Sequence, residues 1–486
     1  MQKYWLLDTE KLTDIKTSFF GYSIDKNGNI YFNEIPNEID GTGCYTFIKV
    51  LNDKITINQD FMGLQGIYHY KNVNYDIFSN AFEKLVDYLL TKKEKLTFDL
   101  KYATQYIFSN EEPINLNDTL INEIKRLSKE IRIEINVKGE VNFINIDYEM
   151  NSVFLNSKEA IQILDEWYIK WVKVFRNIGK NYSPFLIDLS GGFDSRMCFG
   201  ILLNANINKN NIIIKRNIPH ENSYAKNTED YEISEEIIKA FNFEDRSNIL
   251  YYENVKIDEN DYSIFEEFSN LIFGNAKICD YSTPKFEKPI FHIVGNYGDR
   301  THLSDFSAVQ IYLNFKKKKF NNDMKEKDIE ILKEMIDKNA EIIINKYKEK
   351  NRELFLGDFS FEYLYRFIGS KMTTKIFNND IMISPFVDPL FHKVKIYIEG
   401  TKNYFALASV IFTRYFEQLI NFKFQTDIDF GPRIINEEER NFAKQLCEKY
   451  PLQKLNFDEI KFENNFKFVK KYINKEKKII YFNKIN

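Results

Sequence analysis

Only four cysteines occur among the 486 residues, and Cys44, Cys198, Cys279 and Cys447 lie too far apart to make a CxxC pair or a disulfide framework. A fold stapled by disulfides is excluded, and a reducing compartment is expected. No run of about 18 apolar residues appears, and the start, Met1-Gln2-Lys3-Tyr4-Trp5-Leu6-Leu7-Asp8, has no long apolar segment of signal-peptide type. The expectation is a cytoplasmic protein with no membrane span. Charge of one sign is lacking too. Lys plus Arg is 67 against 71 for Asp plus Glu, a net charge of -4, which argues against a general nucleic-acid binder. No Gly/Ser linker and no internal repeat stands out. What is abundant is core material: 44% of residues are hydrophobic, including 44 Phe and 30 Tyr. A chain of this length exceeds one ordinary hydrophobic core, so two domains are expected.

The most informative stretch is Phe185-Leu186-Ile187-Asp188-Leu189-Ser190-Gly191-Gly192-Phe193-Asp194-Ser195-Arg196. A short apolar run, a Ser-Gly-Gly turn and a helical segment from Met197 to Leu203 predict a strand, a tight loop and a helix start. That geometry suits a phosphate. Gly191 and Gly192 let the backbone approach an anion closely, and the first N–H groups of the helix have no intrahelical partner. Ser190 and Ser195 add hydroxyl donors, while Asp194 is better placed to hold a magnesium ion than a phosphate. No Gly-Lys-Ser/Thr follows, which excludes a Walker A loop.

The chain changes character near residue 150. Residues 1–150 read as an antiparallel β domain, with runs such as Gly21 to Ile24, Ile30 to Phe32 and Cys44 to Val50 separated by Asn-Gly and Asp-Gly turns. Residues 151–486 alternate differently. Lys158 to Ile178 carries Ile161, Leu164, Trp167, Trp171, Val172 and Phe175 at helical spacing, and the Trp pair reads as packing. Strands at Phe185, Asn211 to Lys215 and Pro289 to Val294, with a helix from Asp230 to Phe241, predict a doubly wound parallel sheet whose nucleotide site lies at the carboxyl ends of its strands. The third run ends in Gly295-Asn296-Tyr297-Gly298-Asp299-Arg300. It brings a second glycine-flanked carboxylate to a strand end, so Asp194 and Asp299 are expected to share one metal ion that bridges phosphates. Gly295 and Gly298 are counted with the nucleotide-binding residues. Residues 315–353 read as a charged helix introduced by a lysine run, and the last 50 residues as a helical extension.

The Ser-Gly-Gly-x-Asp-Ser string resembles the signature of the ATP pyrophosphatases (adenine nucleotide alpha hydrolase-like proteins), which cleave ATP to AMP. Four further segments resemble the asparagine synthetase-like family, in the family's order along the chain. Asp60-Phe61-Met62-Gly63-Leu64-Gln65-Gly66-Ile67-Tyr68-His69-Tyr70 resembles its "RDxxGxxPLYY" hairpin, and Thr119 to Leu127 the end of its N-terminal glutaminase-type domain. Gly295 to Arg300 resembles its "GxGxDE" loop. Ser384-Pro385-Phe386-Val387-Asp388 resembles its "RxPFLD" segment, with Ser384 where Arg is usual; on its residues alone this string is also a turn and helix cap with Asp388 at the N-terminus. Lys423 lies near the place of the family's catalytic lysine, displaced relative to Gly431.

The resemblance implies an Ntn-hydrolase-like first domain and a synthetase second domain that uses ATP and Mg2+. In the family, glutamine is hydrolysed by a cysteine directly after the initiator Met; here position 2 is Gln, and Cys44 reads as a buried strand thiol. The first domain is therefore expected to keep the fold without the glutaminase activity. The chemistry implied is adenylation of a small-molecule, sugar or peptide carboxylate with release of pyrophosphate, then displacement of AMP by ammonia or an amine. Two alternatives remain open: a tRNA-modifying or sulfur-transferring ATP pyrophosphatase, and a non-catalytic scaffolding relative.

Overall fold

The computed structural model describes residues 4–100 (except 14, 37 and 53), 117–146, 153–216, 228–249, 289–298, 327, 330, 334, 380–394, 405–424, 426–427, 431–432 and 435–452. The first stretch folds into two antiparallel sheets. One has four strands in the order β1 (Leu6–Asp8), β7 (Asp76–Ser79), β6 (Tyr68–Lys71), β8 (Ile124–Arg126). The other has six, in the order β10 (Val141–Asn145), β9 (Ile131–Asn136), β5 (Lys54–Gln59), β4 (Gly43–Leu51), β2 (Ser18–Ile24), β3 (Ile30–Phe32).

Three apolar layers hold these sheets. Between them lie Trp5, Phe20, Ile48, Ile57, Phe78 and Ile133. The outer face of the four-stranded sheet packs Tyr68, Ile77 and Ile124 on Phe82, Leu85 and Leu89 of helix α1 (Phe82–Thr91). On the far side, Tyr22, Ile30, Phe32 and Cys44 of the six-stranded sheet join a cluster with Trp167, Trp171 and Phe175 of α2 (Lys158–Asn181). The result is a helix–sheet–sheet–helix stack. Helix α2 begins at a Ser157 cap whose hydroxyl accepts the Ala160 N–H at 3.0 Å.

The second stretch contains a five-stranded sheet in which every pairing is parallel, in the order β13 (Ser247–Ile249), β12 (Ile212–Arg216), β11 (Phe185–Asp188), β14 (Ile290–Ile293), β15 (Asp380–Ile383). From β11 the chain builds outward to β12 and β13, then returns to β11's other edge with β14 and β15. The order reverses between β11 and β14. In parallel sheets the carboxyl ends on either side of such a reversal frame a crevice. One face of this sheet (Phe185, Ile187, Ile214, Phe291, Ile293, Ile383) packs against α2, α3 (Phe193–Asn204) and α6 (Ala406–Tyr415), the last two preceding and following the short α5 (Pro389–Lys393). The extension read at the C-terminus is, over α7 (Glu437–Lys449), a helix closed by an Asn436/Glu439 capping box; Ala443 and Leu446 sit in the main core. Most of residues 315–353, and everything after 452, lie outside the described residues; Lys327, Glu330 and Glu334 are helical.

A buried cation ties the two stretches together. The Lys170 ammonium on α2 lies 2.7 Å from Asp40 Oδ2, 2.7 Å from Thr42 Oγ1 and 2.9 Å from Asp388 Oδ2. Burial works against its charge, but the Asp388 and Asp40 carboxylates hold it above its ordinary value. Removing it strands the Asp388 carboxylate, which is 1% exposed. Lys170→Met is therefore expected to lower stability by about 3–5 kcal/mol, the cost of breaking a buried pair from one side. Urea denaturation checks this; a loss below about 1 kcal/mol contradicts it.

Candidate functional site at the carboxyl ends of β11 and β14

The β11 strand ends at Asp188, and Leu189 to Gly192 form the tight loop anticipated from the sequence. Ser190 and Ser195 close it on itself. The Ser190 N–H donates to Ser195 Oγ at 3.0 Å, the two hydroxyls are 2.7 Å apart, and the Gly192 N–H reaches Ser190 Oγ at 3.3 Å. The serines thus shape the loop. Gly192 is the N-cap of α3 and makes no side-chain capping bond, so the helix start meets the crevice as bare backbone. Phe193 anchors the loop from beneath, its ring stacked on Phe424 at 4.3 Å and on Phe405 at 5.5 Å.

The loop after β14 lies directly against this one. A Cβ on Gly298 would stand 2.5 Å from Asp194 Cγ, and one on Gly295 would stand 2.6 Å from the Ser195 backbone nitrogen. The two glycines are therefore required by the approach of α3's first turn, a reason the sequence did not reveal. Tyr297 between them has a left-handed backbone (φ 74°) and a side chain only 2% exposed. The Ser384 hydroxyl at the end of β15 donates to the Asn296 carbonyl at 2.6 Å. Asp194, Gly295 and Gly298 are thus brought together, while Asp299 and Arg300 lie outside the described residues. Among the described residues no group of three or more His, Cys, Asp or Glu side chains converges as a metal site would. Gly298→Ala forces its new methyl into the Asp194 side chain and is expected to cost about 1–3 kcal/mol, as overpacking does. A calorimetric melt indistinguishable from the parent protein's would contradict that contact.

Lys423 reaches the same place from a distant part of the chain. Its carbonyl and that of Gly191 both accept from the Nη2 of Arg196, at 2.7 and 3.0 Å. Its ammonium, on an exposed side chain, pairs with Glu229 Oε1 at 2.6 Å. Glu229 lies in the first turn of α4 (Thr228–Ala240), and its neighbour Asp230 accepts the Gly191 N–H. The Ser190 to Ser195 loop, α3 and Lys423 are thereby assembled within one constellation. Arg196 was not anticipated. It is completely buried, and burial pulls its guanidinium down to about 9, with Asp230 working in the opposite direction.

Beneath the loops, four strands contribute a transverse polar row. His292 on β14 places Nε2 2.8 Å from Asp188 Oδ1 and Nδ1 3.2 Å from Asp380 Oδ1, and Lys215 Nζ lies 3.4 Å from Asp188 Oδ1. His292 is 1% exposed. Burial alone lowers an imidazole's pKa, but Asp188 and Asp380 more than reverse that and hold it above 6.5. The folded value exceeds the unfolded one, so the charged row stabilises the native state below about pH 6.5, and the contribution fades as pH rises through the folded value. Unfolding free energy measured upward from pH 6 should fall over that window, and His292→Asn should flatten the fall; an unchanged slope in the variant contradicts the assignment. Apolar neighbours on each strand concealed this row in the sequence.

The remaining motif residues hold structure. Asp388 caps α5 by accepting the Leu390 N–H at 2.9 Å and also receives the Trp171 indole N–H at 2.9 Å; Trp167 donates to the Pro385 carbonyl at 2.9 Å. Asp60 of the hairpin motif accepts the N–H groups of Met62 and Leu64, both at 3.0 Å, and complete burial pushes it up to about 6. Cys44 is buried, and Gln2 lies outside the described residues. No described helix is long and apolar enough to cross a membrane. No protein-family model matches the chain, and no curated protein matches it.

Proposed function

We propose that the chain is an ATP- and Mg2+-dependent amide synthetase of the asparagine synthetase-like kind. On this reading it adenylates a substrate carboxylate, releases pyrophosphate, and couples the acyl group to ammonia or an amine with loss of AMP. The observation that carries the reading is the meeting of the Ser190 to Ser195 loop, the Gly295 to Gly298 loop and Lys423 at the point where the strand order of a parallel sheet reverses. The two antiparallel sheets of residues 4–146, stacked between α1 and α2, support an Ntn-hydrolase-like first domain.

The donor set fits a triphosphate. The first-turn N–H groups of α3 offer donors to an anion with the helix dipole behind them, and Lys423, paired with Glu229, supplies an ammonium nearby. Asp194, with Asp299, would hold Mg2+, which when bound neutralises charge on the leaving pyrophosphate. The chain's own residues fix the β and γ phosphates, orient the α-phosphorus toward the incoming carboxylate, and stabilise the charge that develops on the departing oxygen. The second step needs only an uncharged nitrogen delivered to the acyl carbon.

Turnover across a screen of carboxylates and amines is expected to give AMP and pyrophosphate in equal amounts, with no ADP, and with glutamine inactive as the nitrogen source. Asp194→Ala should reduce the rate on the order of 100-fold or more while the protein stays folded. ADP and phosphate as products, or an Ala variant as fast as the parent, would end this reading.

A further inference from the structure

Arg196 is a buried cation whose hydrogen bonds go to main-chain carbonyls. Its Nη2 donates to Gly191 O at 3.0 Å and Lys423 O at 2.7 Å, and its Nη1 to Phe422 O at 3.0 Å, with Leu419 O at 3.5 Å. Its Cζ lies 3.9 Å over the centre of the Phe424 ring, which stacks in turn on Phe193 of the phosphate loop. One rigid plane therefore spans two segments 227 residues apart in sequence. A guanidinium presents five N–H groups in a fixed fork, which an ammonium on a flexible stem cannot copy.

We propose that Arg196 is a positioning residue that holds the segment bearing Lys423 in register with the Ser190 to Ser195 loop, so that the Lys423 ammonium, which pairs with Glu229, stands within reach of an anion at the N-terminus of α3. This rests on reading the crevice as a pyrophosphate site. The main chain at residues 421–424 is irregular, and between the buried side chains of Ile420 and Phe424 it is the guanidinium that grips the carbonyls of Phe422 and Lys423. Without that grip the Lys423 side chain still exists, but its origin is no longer fixed relative to Gly191. Arg196 touches no ligand position itself. Its effect on anion binding must pass through Lys423.

A double-mutant cycle on the full chain tests this, with magnesium pyrophosphate as the probe and binding followed by calorimetry. Lys423→Ala is expected to weaken binding on the order of 10-fold to 100-fold, the scale of a charge-assisted contact. Arg196→Lys, checked for native circular dichroism, should weaken it comparably, and the double variant should bind no worse than Lys423→Ala alone to within about 2-fold. Arg196→Gln, which keeps N–H donors without the charge, serves as a second variant if Lys perturbs the fold. A merely structural Arg196 gives losses that multiply. Multiplying losses, or Arg196 variants that bind like the parent, overturn the proposal, and so does a parent protein that does not bind the probe. AMP formation alongside multiplying losses would leave the synthetase reading standing without it. A coupled cycle with no AMP formed from any substrate pair would do the reverse.

Discussion

The backbone at Gly298 passes so close to Asp194 that even a methyl group between them would lie within 2.6 Å of three side-chain atoms. Much else in the crevice follows from that approach. Strands β11 and β14 are hydrogen-bonded neighbours, so the loops leaving their ends have to share one small space. Sharing it requires glycine at both points of contact and a left-handed turn at Tyr297 to reverse the chain, and fastenings from neighbouring elements hold the loop in place. The fastenings are present: Ser384 grips Asn296 from the end of β15, and the Cys198 thiol on α3 lies 3.6 Å from the Val294 carbonyl. Three strand ends and one helix start are thereby fixed against each other before any ligand arrives, which is the preorganisation an anion site needs.

The sequence announced the parts of this arrangement whose signals are local. A short β-rich run followed by Ser-Gly-Gly reads as strand and turn because both patterns lie within a dozen residues. Helix α2 reads from its 3.6-residue periodicity, and it extends as far as Asn181. The pairing of the two glycine loops was also legible, since each ends an apolar strand. The reason for Gly295 and Gly298 was not, because crowding by Asp194 depends on which strands are neighbours. Arg196 and the row Lys215, Asp188, His292 and Asp380 were missed for the same cause: each member is one polar residue on a local element, and the partners lie up to 227 residues away. The Pro-Phe-Val-Asp string had two readings, and Asp388 does cap a helix while its second oxygen meets Trp171 and Lys170.

The change in composition near residue 150 does not coincide with a gap in the packing. The largest apolar cluster runs from Tyr22 on β2 through the two tryptophans of α2 to Leu446 on α7. Helix α2 serves as the outer layer of the six-stranded sheet and as a supporting layer of the parallel sheet at once. That double duty explains its length and the many fully buried residues along it. A helix with one buried stripe carries a narrow apolar face; α2 buries 13 of its 24 residues and commits the polar ones among them to specific bonds. Asn177 donating to the Gly28 carbonyl at 3.0 Å, and Lys170 reaching Asp40, are such bonds.

Buried ionic groups are seldom the most stable solution for a core, since well-packed apolar side chains of equal volume commonly do as well or better. Buried basic groups such as Lys170, His292 and Arg196 therefore call for a geometric reason. Lys170 joins the loop around Asp40 and Thr42 to the start of α5; His292 joins β11 to β15 across β14; Arg196 joins the Ser190 to Ser195 loop to the segment that follows α6. Apolar replacements could fill those volumes but could not select which backbone atoms meet. Van der Waals packing tolerates sliding by a fraction of an ångström, whereas a hydrogen bond weakens steeply with distance and angle. Arg196 holds the loop that leaves the carboxyl end of β11, His292 meets Asp188 at that same strand end, and Lys170 meets Asp388 just beyond β15, so groups that are energetically hard to bury stand where positional accuracy matters most.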